Sequence, residues 1–230
     1  MKIWMMTDIE GVAGILNFED WCSPGSRYYE IGKRLLTREV NAAVDGFFAG
    51  GADAVMVIDG HGPGAIDLEL LDERATVVRG PSETPAIPGD CDAVAYVGQH
   101  AKAGTPYSHI THTGTFAVIE RTVNGVAVGE YGDGALLAAE NGIPVIFASG
   151  EAAFCREAEE LTPGVVTVPV KWGLLPDDGS VNLTAEQYAK AKLSAEHLAP
   201  AMACKRIAAG AKAALAKFFA TPKAFQPCAI

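Results

Sequence analysis

A chain of 230 residues with 49% hydrophobic content, 25 glycines and a mean hydropathy of +0.16 can bury a large core, unlike a disordered chain or a small disulfide framework. Its formal net charge of −10, without any Lys/Arg cluster, argues against nucleic acid as a partner, because phosphates would be repelled. Five scattered cysteines (Cys22, Cys91, Cys155, Cys204, Cys228) with no Cys-x-x-Cys pair read as reduced thiols of a cytoplasmic protein, and no apolar stretch approaches the length needed to span a membrane.

Strand and helix patterns alternate along the chain. Lys2 to Thr7 reads as a buried strand and runs into Asp8 and Glu10. From Arg27 to Gly50, the residues Ile31, Leu35, Leu36, Val40, Ala43, Val44 and Phe47 recur at helical spacing, and Gly50-Gly51 stops the helix. A second apolar run, Ala54 to Ile58, leads into Asp59 and His61, and a third, Ala93 to Gln99, leads into His100. Thr113 to Arg121 and Val126 to Gly129, on either side of Asn124-Gly125, predict a β-hairpin with a type I′ turn, since Asn-Gly tolerates the positive φ such a turn needs. Then come a helix from Asp133 to Asn141 stopped by Gly142, a strand from Pro144 to Ala148, a helix from Ala152 to Leu161 and a strand from Val165 to Lys171. Pro176-Asp177-Asp178-Gly179-Ser180 marks an exposed loop. An Ala/Lys-rich helical region follows from Thr184 to Phe219, opened by a Thr184/Gln187 capping box and interrupted near Pro200. This rhythm predicts an α/β fold, a largely parallel helix-covered sheet with a β-hairpin insertion, in one domain over residues 1–230 whose C-terminal helical region is 184–230.

Three of the apolar runs end in candidate metal ligands, and the carboxyl edge of an open α/β sheet is where ligands bind. Asp8 and Glu10 are two apart, so if the strand persists through Ile9 they share a face and repel unless a cation lies between them; otherwise Asp8 caps a turn and Glu10 is solvated. His61, in Asp59-Gly60-His61-Gly62-Pro63-Gly64, is either brought close to another group by the flexible glycines or is a solvated turn residue. The loop lacks the Lys-Ser/Thr of a phosphate cradle. His100 ends a strongly apolar strand and needs a partner there. His109 and His112 are both open as catalytic or surface histidines, and Glu130, between Gly129 and Gly132, is either a ligand or a helix cap. Asp59, Asp133 and Lys171 are open as supports for the ligands, Asp59 first because it neighbours His61.

The set Asp8, Glu10, His61, His100 and Glu130 offers five oxygen and nitrogen ligands and no thiolate. This suits two Zn2+ or similar divalent ions sharing a carboxylate, roughly 3.5–4 Å apart, and favours hydrolysis.

These same residues carry a family resemblance. Met1 to Ile15 (MKIWMMTDIEGVAGI), Asp59-Gly60-His61, Gly98 to Pro106 (GQHAKAGTP), Thr111-His112-Thr113 and Val128-Gly129-Glu130 together resemble the ordered motifs of the dipeptide-transport-associated D-aminopeptidases, a family of dinuclear zinc metallopeptidases. The resemblance extends over most of residues 1–172. It implies that Asp8 bridges two metals, that Glu10, His61, His100 and Glu130 complete the ligand set, and that His112 is the catalytic histidine. It further implies cleavage of short peptides or amides bearing an N-terminal D-amino acid, and a ring-like homo-oligomer, a decamer. The loop Gly62-Pro63-Gly64 departs from the polar residues that family members often carry there. Two other readings use the same residues: a different dinuclear metal amidase or phosphoesterase, and a non-catalytic small-molecule binding or oligomeric protein.

Overall fold

The structure, a computed structural model, describes residues 1–79, 87–176 and 182–230. Its framework is a seven-stranded sheet in the order β3-β2-β1-β4-β7-β8-β9. The strands are β1 (Lys2–Thr7), β2 (Ala54–Asp59), β3 (Ala75–Val78), β4 (Ala93–Gln99), β7 (Val145–Glu151), β8 (Val166–Gly173) and β9 (Ala195–His197). All neighbours pair in parallel except β8 and β9, which run antiparallel. The chain builds outward from β1 through β2 to β3, then returns to the other side of β1 with β4. The crevice between the carboxyl ends of β1 and β4 is therefore a topological switch point, the place where open α/β sheets bind ligands.

Both faces of the sheet are covered, which is why β1 and β4 read as continuous apolar runs and not as alternating ones. Alternate residues of β1 still divide between the two sides: Ile3 and Met5 face one core, Trp4 and Met6 the other. The first core lies under α2 (Tyr29–Gly50) and α6 (Pro200–Ala220), whose Leu36, Val40, Val44 and Phe47 meet Ile207, Ala211 and Leu215. The second lies under α3 (Glu130–Glu140) and α4 (Ala152–Leu161), which contribute Tyr131, Ala135, Ala138, Phe154 and Ala158.

Most expected elements stand where the sequence puts them, and the departures have physical reasons. Helix α2 begins at Tyr29 and ends in Gly51 at φ 102°, whose N–H reaches the Phe47 carbonyl. Asn124 and Gly125 take the expected positive φ values, 51° and 81°, but the hairpin arms β5 (Thr122–Val123) and β6 (Val126–Ala127) are two residues each. The segment before them is drawn out of a ladder, because the Thr113 hydroxyl accepts from the Ala103 N–H at 3.1 Å and the Gly114 N–H donates to Glu130 at 2.9 Å. Within the expected C-terminal helical region, α5 (Ala185–Ala189) starts at the Thr184/Gln187 capping box, but β9 separates it from α6. Ala-Glu-His has no strand pattern of its own; pairing with β8 imposes one. A short helix, α1 (Phe18–Trp21), and the edge strand β3 were not expected either. The loop expected at 176–180 lies, beyond Pro176, outside the described residues. No described helix is long and apolar enough to cross a membrane.

At the switch point the backbones of β1 and β4 continue in contact past the strands. Asp8 N–H donates to the Val97 carbonyl at 3.0 Å, and Gly11 N–H to the Gly98 carbonyl at 2.7 Å. A side chain on Gly98, at φ +80°, would put Cβ 2.0 Å from the Asp8 carbonyl oxygen, and one on Gly11 would put it 1.9 Å from the Gln99 carbonyl oxygen. Gly11→Ala is expected to destabilise the fold by about 3 kcal/mol or more, through backbone displacement in a packed crevice. Gly62→Ala, where a Cβ meets nothing within 4 Å, should stay within about 0.5 kcal/mol; denaturant titration of both variants checks the contrast.

Candidate metal centre

Five loops and element ends deliver polar side chains to this crevice. Asp8 and Glu10 come from the turn after β1, His61 from the loop two residues past β2, and His100 from the first position past β4. His112 comes from the loop before the hairpin and Glu130 from the first turn of α3. Strand β1 ends at Thr7, so Asp8 and Glu10 are brought together by a turn and not by strand alternation. Asp8, Glu10, His61, His100 and His112 are all buried, with Asp8 and Glu10 only 4% and 1% exposed, while Glu130 is partly open to the cavity.

The distances among them are short. His61 Nδ1 lies 3.1 Å from Asp8 Oδ1 and 3.3 Å from Glu10 Oε2. His100 Nε2 lies 3.4 Å from Asp8 Oδ2 and 3.6 Å from Glu130 Oε2, and His112 Nε2 lies 3.7 Å from Glu130 Oε1. Two overlapping trios, Asp8–Glu10–His100 and His100–His112–Glu130, each bring three possible ligand atoms within 4.8 Å of one another. Asp8 contacts both histidines that flank it, one with each carboxylate oxygen.

Each histidine gives one ring nitrogen to a backbone carbonyl and turns the other inward. His61 Nε2 donates to Cys22 O at 2.6 Å, His100 Nδ1 to Ala101 O at 2.9 Å, and His112 Nδ1 to Ile110 O at 3.1 Å. A carbonyl only accepts, so the proton of each neutral ring sits on the outward nitrogen and the inward one has a free lone pair. Metal-binding histidines are oriented in this way. Asp8 Oδ2, Glu10 Oε2 and His100 Nε2 are buried and have no hydrogen-bond partner among the described residues. Buried polar atoms are seldom left so, and three converging on one crevice fit a divalent cation.

The electrostatics have the same sense. Burial, reinforced by Glu10, pushes the Asp8 carboxyl up. Burial also opposes ionisation of Glu10 and Glu130, but His61 and His100 respectively hold them down, Glu10 to about 2. Burial opposes the charged imidazoles too, yet the carboxylates win: Glu10 and Asp8 raise His61 to about 11, and Glu130 and Asp8 raise His100 to about 10. His112 is the exception, pushed down to about 4 by burial and by the ring of His100 stacked on it at 4.1 Å. It is neutral.

Surrounding groups hold these side chains in place. Lys171 on β8, wholly buried, donates to the Glu10 carbonyl, and burial lowers it to about 8. Glu157 accepts from the Lys102 N–H at 2.9 Å and so fixes the segment after His100. Asp59 makes no contact with the His61 ring: it accepts from the Ala65 N–H at 2.7 Å and pairs at 3.4 Å with Arg79, which in turn donates to the His61 carbonyl at 3.3 Å. Asp133 pairs with Arg121. His109 is buried against His197 at 5.3 Å and does not line the cavity. That cavity, about 470 Å3, lies over the cluster and is lined by Asp8, Glu10, His61, His112 and Glu130, within the range of small-ligand sites. Phe18 and Phe116, unmarked in the sequence, close over His112, Phe116 at 4.5 Å from its ring.

A family model described as D-aminopeptidase matches residues 1–229. The chain belongs to the D-aminopeptidase family. It is 31% identical over 176 residues to the D-aminopeptidase of Bacillus subtilis (strain 168), a match covering 74% of this chain and 64% of that protein, just under two thirds of the relative's length. Among solved structures it is similar to the Zn-dependent D-aminopeptidase DppA from Bacillus subtilis, a self-compartmentalizing protease, with a TM-score of 0.83 and 26% identity over 99% of this chain and 77% of that one. The family's mixed α/β architecture, with its mostly parallel sheet, is thus the one seen here.

Zinc added to metal-free protein is expected to raise the thermal midpoint, with stabilisation of about 2.7 kcal/mol at a free concentration one hundred times the dissociation constant. Lys171→Met should weaken zinc binding roughly 10- to 100-fold in competition with a chelating dye, because the Glu10 backbone loses its buried donor.

Proposed function

We propose that this chain is a zinc-dependent aminopeptidase that holds two Zn2+ ions through Asp8, Glu10, His61, His100 and Glu130, with His112 as its catalytic histidine. Its substrates are short peptides or amides with an N-terminal D-amino acid. The observation that carries the reading is the convergence of Asp8 Oδ2, Glu10 Oε2 and His100 Nε2, buried and without a hydrogen bond among the described residues, at the switch point of the sheet. Membership of the D-aminopeptidase family and likeness to a Zn-dependent relative support the substrate class and the metal. Asp8, reaching His61 with one oxygen and His100 with the other, would be the carboxylate that holds both ions, and its contacts support that reading.

Bound zinc supplies Lewis acidity that polarises a scissile carbonyl and eases ionisation of water near neutral pH. The protein's own groups do the rest. His112 keeps one proton on Nδ1, held by the Ile110 carbonyl, so its neutral Nε2 can take a proton in the cavity and return it to the leaving amine. Phe18 and Phe116 shield that ring from solvent. The carboxylates lining the cavity attract the substrate's ammonium group.

Residues 1–230 act as one α/β metallohydrolase domain, with 184–230 as its C-terminal region, and the chain assembles as a ring-like homo-oligomer, a decamer. The self-compartmentalizing relative supports the assembly, and five unpaired cysteines fit a cytoplasmic setting.

Elemental analysis of protein purified without chelator should find about two metal ions per chain. His112→Ala should keep that metal while kcat on a D-alanyl amide falls roughly 10²- to 10⁴-fold. Asp8→Ala should lose both metal and turnover, and full activity in that variant would overturn the assignment.

A further inference from the structure

Among the described residues lining the cavity over this cluster, Arg121 is the single Lys or Arg. It also lines a neighbouring cavity of about 410 Å3, together with Lys102 and Thr113, so it stands where the two meet. Its side chain is about half exposed, and its Nη1 is paired with Asp133. A guanidinium has five N–H donors, so the pairing fixes its direction and leaves a fork to spare.

Asp133 is three residues after Glu130 on α3, so the two carboxylates stand on one face, roughly 5–6 Å apart at Cβ. One extended peptide residue spans about 3.3–3.6 Å. A substrate whose scissile carbonyl lies over Glu130 therefore brings the end of its next residue or two to the guanidinium. In a chain of net charge −10, with Asp133 lining this cavity outside the set assigned to zinc, Arg121 supplies the cation an anionic substrate end needs there.

The geometry points to Arg121 as the binding residue for the C-terminal carboxylate of a di- or tripeptide substrate, oriented for that task by Asp133. This rests on the peptidase reading above and specifies it: the site takes short peptides with a free carboxyl end in preference to their amides.

The test compares D-alanylglycine with D-alanylglycinamide, which share the scissile bond and differ in the terminal charge. In the zinc-loaded wild type, kcat/KM should favour the acid, and in Arg121→Gln the acid-to-amide ratio should fall about 10- to 100-fold, carried by KM for the acid. Arg121→Lys, which keeps the charge without the fork, should retain part of the preference. An unaltered ratio in Arg121→Gln would overturn the assignment. Calorimetric binding of the reduced-amide analogues of the same two compounds, which cannot be cleaved, provides a readout independent of turnover. If the wild type cleaves neither substrate, the peptidase reading fails, while loss of the acid analogue's advantage in Arg121→Gln still supports the carboxylate site. Equal affinities of wild type and variant for the acid analogue would overturn it.

Discussion

The interaction on which this structure turns is the repulsion between Asp8 and Glu10, two carboxylates withdrawn from water just past the end of β1. Taking a carboxylate out of water is costly, and a second beside it raises the cost, so the surrounding residues must provide positive charge or donors. The protein provides imidazoles: His61 bridges both carboxylates and His100 joins Asp8 to Glu130. In the absence of metal those rings are held protonated by the field around them. A ring that binds a cation must give up that proton, so metal and protons compete for one charge deficit, and affinity depends on pH. The carbonyls of Cys22 and Ala101 decide which nitrogen faces inward in either case.

The crevice that concentrates this charge is a product of topology. Parallel strands β1 and β4 leave the sheet in the same direction and their helices diverge to opposite faces, so their first loop residues are left side by side. Gly11 and Gly98 let those loops run at backbone contact, closer than any side chain would permit. Lys171, from β8 on the same side of the sheet, then reaches the Glu10 carbonyl from within the core. A rigid crevice of this kind can hold like charges together because its backbone cannot relax to separate them.

Three of the candidate ligands were legible in the sequence because each follows an apolar run that had to be a strand, and strand ends in an open sheet share an edge. Asp8, His61 and His100 are delivered by that rule alone. Glu130 was legible as an anomaly but misplaced relative to the helix, since Gly129 as N-cap starts α3 three residues before the expected Asp133. The choice between His109 and His112 was beyond residue spacing and came from family resemblance; in space His112 stacks on His100 while His109 packs against His197 from β9, a strand that the sequence does not announce. The roles of Asp59 and Lys171 were illegible for a related reason. Sequence adjacency to His61 favoured Asp59, which reaches the His61 backbone only through Arg79, whereas the Glu10 segment is held by Lys171, 161 residues beyond it, through a backbone carbonyl that carries no sequence signature.

Helix α3 links the chemistry to recognition. Its first residue, Glu130, belongs to the ligand cluster, and one turn later Asp133 holds the guanidinium of Arg121. The separation between the two is therefore set by helical geometry, which is stiff, and not by the loop that carries Arg121. Arg121 is held at two points, its carbonyl by the Val128 N–H at 2.9 Å and its guanidinium by the ion pair to the same helix that positions Glu130. A charge on a loop alone would accept anions over a range of distances. Fixed to α3, it stands at a set distance from the candidate ligands, and the proposed selection by substrate length would follow from the pitch of one helix.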